Sequence, residues 1–223
     1  MQIFKNEQRT DYLNQYSIAH LFSFPIEEYI QVHEYKRGEW IIQEGTPPEH
    51  LFYVLEGKAK IYMTHQNGKV SLLNFINEFE YIGEMELLNE VYYSKGVQTS
   101  TNMICFAIPF HSCRKLLLAD ATFLRHLAIF LSTKATHMAA KYSQSLAFPL
   151  ENRLADFILQ TADNDLYKEK HVTVCDFLGV SYRYLLHVLS QFCDKKLLKK
   201  EGHAYQIIDK AALTELAHVL RNE

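Results

Sequence analysis

The sequence predicts an α+β chain in three parts: an antiparallel β-roll with a short N-terminal segment over residues 1–119, a long helix over 120–147, and a compact group of three helices and a β-hairpin over 148–223. Three observations carry this expectation. Glycine-punctuated β segments fill the stretch from about Ile30 to Phe110, the apolar pattern changes from period two to helical period after Pro109, and no glycine occurs between Gly96 and Gly179.

The β segments read EWIIQEG, HLFYVLEGKAKIYMT, KVSLLNFI and GVQTSTNMICFAI, with Gly38, Gly45, Gly57, Gly68 and Gly83 between or beside them. Gln66-Asn67-Gly68 separates two of these runs, and Asn-Gly accepts positive φ at little cost, which predicts a hairpin there. Many short antiparallel strands at this spacing close more readily into a roll or barrel than into a flat sheet. Asp120 and Thr122 offer capping oxygens for the long helix, and Pro149 ends it after about Ala147. Along it Leu124, Ala128, Leu131, Ala135, Met138, Tyr142 and Ser145 recur in alternating steps of four and three, the seam of a parallel two-helix coiled coil. Phe123, Leu127 and Phe130 form a second apolar stripe, so the helix is expected to face its own domain on one side and a second copy of the chain on the other. Beyond Pro149 the reading is a helix over ENRLADFILQTA, a polar connector NDLYKEK, the helices HVTVCDFL and SYRYLLHVLSQFCDKKL, and a strand–turn–strand in LLKKEGHAYQII with its turn at Glu201-Gly202.

Composition excludes several classes. At 48% hydrophobic residues the chain can bury ordinary cores, and no apolar run approaches the roughly 20 residues of a membrane span, so the expectation is a cytoplasmic protein with no membrane partner. The four cysteines form no CxxC pair and the eleven histidines no HxH or HExxH spacing, which argues against a metal site, a disulfide scaffold and a barrel-type metalloenzyme. Neither catalytic residues nor a cofactor are expected. The net charge of −3 is unevenly spread: residues 166–210 carry eight Lys and Arg against five Asp and Glu. That suggests a polyanion-facing C-terminal module on an acidic body.

The most informative stretch is TVCDFLGVSYRYLLHVLSQF. A helix-turn-helix needs a small residue on its first helix, a turn residue tolerant of positive φ, and a cap on its second helix; Cys175, Gly179 and Ser181 fill these roles. Leu178, Val180, Leu185, Val188 and Leu189 form the inward face. Tyr182, Arg183, Tyr184 and His187 are left outward, where they would meet a major groove, Arg183 reading guanine through paired donors. Lys170, His171, Lys199, Lys200 and His203 are candidates for phosphate contact.

In order along the chain, KRGEWIIQEG, LFYVLEGKAKIY, NGKVSLLNF, YIGEMELL, the long helix and FLGVSYRYLLHVLSQF resemble the CRP/FNR superfamily of bacterial regulators over about Leu21 to Asp209. The resemblance implies a cyclic-nucleotide-binding-type β-roll, a dimerisation helix and a winged helix-turn-helix. By it, Ser181, Tyr182, Arg183 and His187 occupy the positions that contact a DNA half-site. It further implies a homodimer on an inverted repeat of double-stranded DNA, with RNA polymerase as a candidate partner.

The effector pocket departs from the pattern. Members that bind cyclic AMP hold its ribose with a Gly-Glu pair, matched here by Gly83 and Glu84, and its phosphate with an Arg-Ser pair, whose place is taken by Tyr93 and Ser94. Without the arginine, and beside Glu84 and Glu86, a cyclic phosphate would be repelled unless Lys95 substitutes, and lysine lacks the bidentate geometry. The sequence therefore argues against cyclic AMP and leaves the effector open, with Glu84 read as a cap on local backbone N–H groups. The alternatives are a signalling protein whose C-terminal domain contacts protein, and a redox-sensing regulator using Cys105 and Cys113.

Overall fold

A computed structural model describes residues 1–4, 7–91 and 93–218. The chain divides by internal contacts into two compact units, Met1–Lys134 and Ala135–Glu223. The first contains β1 (Gln2–Phe4), α1 (Glu7–Gln15), two single 3₁₀ turns (Ala19–Leu21, Ile26–Glu28), β2 (Gln31–Tyr35), β3 (Trp40–Ile42), β4 (His50–Glu56), β5 (Ala59–Thr64), β6 (Val70–Ile76), β7 (Tyr81–Ile82), α2 (Glu84–Leu88), β8 (Gly96–Thr99), β9 (Met103–Pro109) and α3 (Phe110–Ala119). A long helix, α4 (Ala121–Ala147), begins in this unit and ends in the next.

Two antiparallel sheets make the roll, in orders β1-β2-β9-β4-β7 and β3-β8-β5-β6. Side chains alternate across a strand, and β4 and β9 use both faces. Phe52, Val54, Met103, Cys105 and Ala107 point into one core with Tyr35, Ile42, Ile76 and Val97. Leu51, Leu55, Phe106 and Ile108 point the other way, into a core shared with Cys113, Leu117, Phe123 and Leu127 of α3 and α4. The hairpin at Asn67-Gly68 forms as expected, with Gly68 at φ 78° and Thr64 opposite Val70.

Three features depart from the sequence reading. The all-β stretch contains the short helix α2. The polar opening segment is structured: β1 adds to the sheet edge with Ile3 opposite His33, and Tyr12 and Leu13 of α1 pack on the core although α1 buries no residue completely. The connector NDLYKEK contributes a strand, β10 (Leu166–Tyr167), whose Tyr167 is fully buried.

Asp120 anchors the start of α4. Its Oδ1 accepts from Thr122 N at 3.0 Å and its Oδ2 from Ser23 N at 2.8 Å. Burial alone would raise this carboxyl, and the hydrogen bonds from Ser23 and Thr122 outweigh it, holding Asp120 below the ordinary aspartate range. The expected inner stripe is in place: Phe123 and Leu127 are buried, Phe123 stacks on Phe22 at 5.2 Å, and Phe130 meets Tyr81 edge-on at 5.3 Å.

The second unit holds the end of α4, α5 (Leu150–Thr161), β10, α6 (His171–Leu178), α7 (Tyr182–Asp194), β11 (Leu198–Glu201), β12 (Ala204–Ile207) and α8 (Lys210–His218). Its sheet runs β10-β12-β11, all antiparallel. Leu154, Phe157, Ile158, Val174, Leu185, Val188, Leu189, Phe192 and Leu213 are buried in its core. Three helices followed by a β-hairpin make a winged helix.

Candidate nucleic-acid interface and effector region

Helices α6 and α7 meet at 105° across Gly179–Ser181, within the range of a helix-turn-helix. Gly179 sits at φ 65°, ψ 40°, a left-handed conformation that glycine adopts without steric cost, and Val180 N donates to Cys175 O at 3.0 Å to close the turn. Ser181 caps α7, its Oγ accepting from Tyr184 N at 3.2 Å. Arg153 of α5 donates to the carbonyls of Leu178 at 2.7 Å and Phe148 at 3.2 Å, pinning the turn from behind. No local spacing in the sequence marks Arg153 for this role.

With Leu178, Leu185, Val188 and Leu189 buried and Val180 half-buried, α7 turns Tyr182, Arg183, Tyr184 and His187 to solvent, with Leu186 and Ser190 beside them. His187 lies 3.1 Å from the side-chain nitrogen of Gln191, one turn on. Lys170, Lys199, Lys200 and His203 are exposed, and Lys199 pairs with Glu201 at 3.2 Å. His171 is half-buried at the first position of α6, and its ring contacts Tyr182 and Tyr205. The expected outward set therefore shares one side of α7.

In the roll, Gly83 at φ 90° opens α2, and a Cβ there would lie 2.9 Å from His50 O, so only glycine fits. Among the described residues the Glu84 carboxylate caps no local N–H group; it is buried and pairs with Lys134 Nζ of α4 at 2.7 Å. Burial pushes the carboxyls of Glu80 and Glu86 up, and Lys134 acts on both in the opposite direction. The Ser94 hydroxyl is buried beside the Glu86 carboxyl and acts on it in the lowering direction. Lys95 leans over the Tyr93 ring at 5.2 Å.

The two cysteines of the redox alternative lie on opposite faces of the five-stranded sheet: Cys105 belongs to the core between the sheets, Cys113 to the core under the helices. Burial pushes both thiols up, the opposite of what a reactive thiolate needs. Cys105 on β9 faces between the sheets while Cys113 on α3 packs on the other side, so the structure does not bring the pair together. Among the described residues no group of three or more His, Cys, Asp or Glu is arranged to hold a metal ion, and no single helix is long and apolar enough to cross a membrane.

On the seam, Leu124 and Leu131 lie half-buried against the core of the first unit, whereas Ala128, Ala135, Met138 and Tyr142 are exposed. Met138 is 48% and Tyr142 70% exposed.

Residues 32–120 match the cyclic nucleotide-binding domain family. The chain is 43% identical over 179 residues to the regulatory protein YeiL of Escherichia coli O157:H7, covering 80% of this chain and 82% of that protein. It is 21% identical over 181 residues to the cAMP-activated global transcriptional regulator CRP of the same organism, covering 77% and 86%. A crystal structure of a CRP/FNR-family regulator from Eubacterium rectale superposes with a TM-score of 0.72 at 17% identity, over 95% of this chain and 100% of that one. A cyclic-nucleotide-type roll followed by a long helix and a winged helix defines a transcription regulator that acts on DNA. Its relatives being regulators of this kind, the chain belongs to the CRP/FNR family of bacterial transcription regulators.

Proposed function

We propose that this regulator binds an inverted repeat in double-stranded DNA as a homodimer, with α7 of each copy entering successive major grooves about 34 Å apart. The observation that carries the reading is the solvent-facing side of α7, where Arg183 stands between two exposed tyrosines behind the Ser181 cap. Phosphate contacts come from Lys170, Lys199, Lys200 and His203, which fix register without reading sequence. Titration of the full chain against DNA selected from random fragments tests this. Arg183→Ala is expected to weaken the selected site roughly tenfold and to relax preference for guanine; unchanged affinity and base preference would remove Arg183 from the interface. The rival reading, a C-terminal domain that docks on protein, predicts no salt-dependent retention on DNA.

The exposed seam residues support self-association through α4. Met138→Glu would place a charge at a seam position and is expected to shift sedimentation from dimer to monomer while leaving the thermal melt nearly unchanged; a variant that stays dimeric would place the interface elsewhere.

The effector is proposed to be something other than cyclic AMP, since Tyr93 stands in the arginine's place, Lys95 is engaged with Tyr93, and Glu84 already holds a cation of the chain itself. Adding cyclic AMP to the DNA titration is accordingly expected to leave affinity unaltered. Whatever the effector is, regulation is a shift in the population of DNA-competent dimers. RNA polymerase remains the candidate partner at the promoter.

A further inference from the structure

Three rings link the wing to the tip of α7. His171 lies with its ring centroid 5.8 Å from that of Tyr182, the first residue of α7, and 6.1 Å from that of Tyr205 in β12. Tyr205 in turn meets the fully buried Tyr167 of β10 at 6.2 Å. The Tyr182 hydroxyl is 3.5 Å from His171 Nδ1. Burial first, and Lys200 of β11 second, hold the imidazole below its ordinary value, which favours the neutral ring; in its Nε2–H tautomer Nδ1 is the acceptor that faces the phenol. Tyr182 has no other acceptor within the chain for its O–H among the described residues.

The consequence is chemical. A phenol is both donor and acceptor. When its O–H is committed to His171 Nδ1, only the oxygen lone pairs remain to face outward. In the major groove an acceptor pairs with an exocyclic amino group, adenine N6 or cytosine N4, and not with guanine O6 or thymine O4. Holding the ring between α6 and β12 also removes freedom that Tyr182, half exposed at the helix tip, would otherwise lose on docking.

We propose that His171, as its Nε2–H tautomer, is a positioning residue rather than a phosphate contact: it turns Tyr182 into a hydrogen-bond acceptor that selects a base with an amino group in the major groove, adenine or cytosine. This rests on the DNA-binding reading above. With Arg183 reading guanine as proposed above, the half-site would pair one guanine contact with one adenine or cytosine.

The test uses the full chain and the sites it selects from random DNA. The half-site position whose preference disappears in Tyr182→Phe is identified, and affinity for all four bases there is measured at several salt concentrations for the wild type, His171→Ala, His171→Asn and the His171→Ala/Tyr182→Phe double variant. The wild type is expected to favour the amino-bearing base about fivefold. His171→Ala and Tyr182→Phe should each flatten that preference, the double variant should do no more than either alone, and His171→Asn, whose amide oxygen can take the place of Nδ1, should restore it. The salt dependence should be unchanged in His171→Ala, because a neutral ring releases no counterions. A shallower salt slope with equal weakening on every sequence would make His171 a phosphate contact and overturn the proposal, as would a wild-type preference for guanine or thymine at that position. A wild type with no sequence preference on any DNA would instead sink the DNA-binding reading itself. His171→Phe keeps a ring between Tyr182 and Tyr205 and removes Nδ1, so loss of the preference in that variant tests His171 even if His171→Ala unfolds the second unit.

Discussion

Lys134→Met is expected to destabilise the first unit by about 3 kcal/mol, measured by urea unfolding at pH 7. The Glu84 carboxylate is 5% exposed and its partner 24%, so removing the ammonium leaves an acid out of water without a counter-charge. The neighbouring titratable groups, Glu80 and Glu86, are acids whose carboxyls burial already pushes up, and they offer no substitute. The cost of breaking a buried pair comes from the charge left behind rather than from the net worth of the pair. Glu84→Gln in the Lys134→Met background should therefore recover most of the loss. If Lys134→Met alone stays within about 0.5 kcal/mol of wild type, the pair is an ordinary surface contact.

Acid should loosen the same unit through His33. This residue is buried beside Phe52 and Tyr35, its Nε2 lies 2.9 Å from Gln31 Oε1, and its Nδ1 has no partner among the described residues. Burial, then the nearby His50 ring 5.3 Å away and the terminal amine, hold its pKa at about 4 against 6.5 for the free side chain. Because the folded value is the lower one, the unfolded chain takes the proton first. The stability that neutral His33 contributes is whole above pH 6.5 and is lost as pH falls towards 4, by up to about 1.4 kcal/mol per pH unit and about 3 kcal/mol in all. His50, also lowered by burial, adds in the same direction. Urea midpoints of wild type and His33→Phe between pH 7 and pH 4 would show it. The wild type should lose stability more steeply than the variant, and parallel profiles would exclude His33 as the source.

How much of this was readable beforehand depends on whether the cause was local. The Asn67-Gly68 hairpin and the Cys175–Gly179–Ser181 turn are set by backbone preferences within short local segments, and both form where expected. The two stripes of α4 follow from helical period, and the inner one is buried as Phe123 and Leu127 require. Edge strand β1 and the two-residue strand at Leu166-Tyr167 are too short for any period to show, and the partners across the sheet decide them. Lys134 and Glu84 lie 50 residues apart, beyond the reach of any spacing rule, so a carboxylate that looked like a local cap became half of an ion pair. The outward set on α7 was legible because a buried leucine face leaves one side over. The link from Tyr182 to His171 and Tyr205 was not, since three separate elements supply its rings.

The double-sided burial of β4 and β9 bears on how the polypeptide is made. Partners across that pairing, from His50 with Pro109 to Glu56 with Ile104, are between 48 and 59 residues apart. During synthesis the apolar β4 must wait for its mate to leave the ribosome, with both faces wet and sticky in the interval. A nascent chain halted before residue 100 should thus be a strong client for chaperones, and release from them should coincide with emergence of β9.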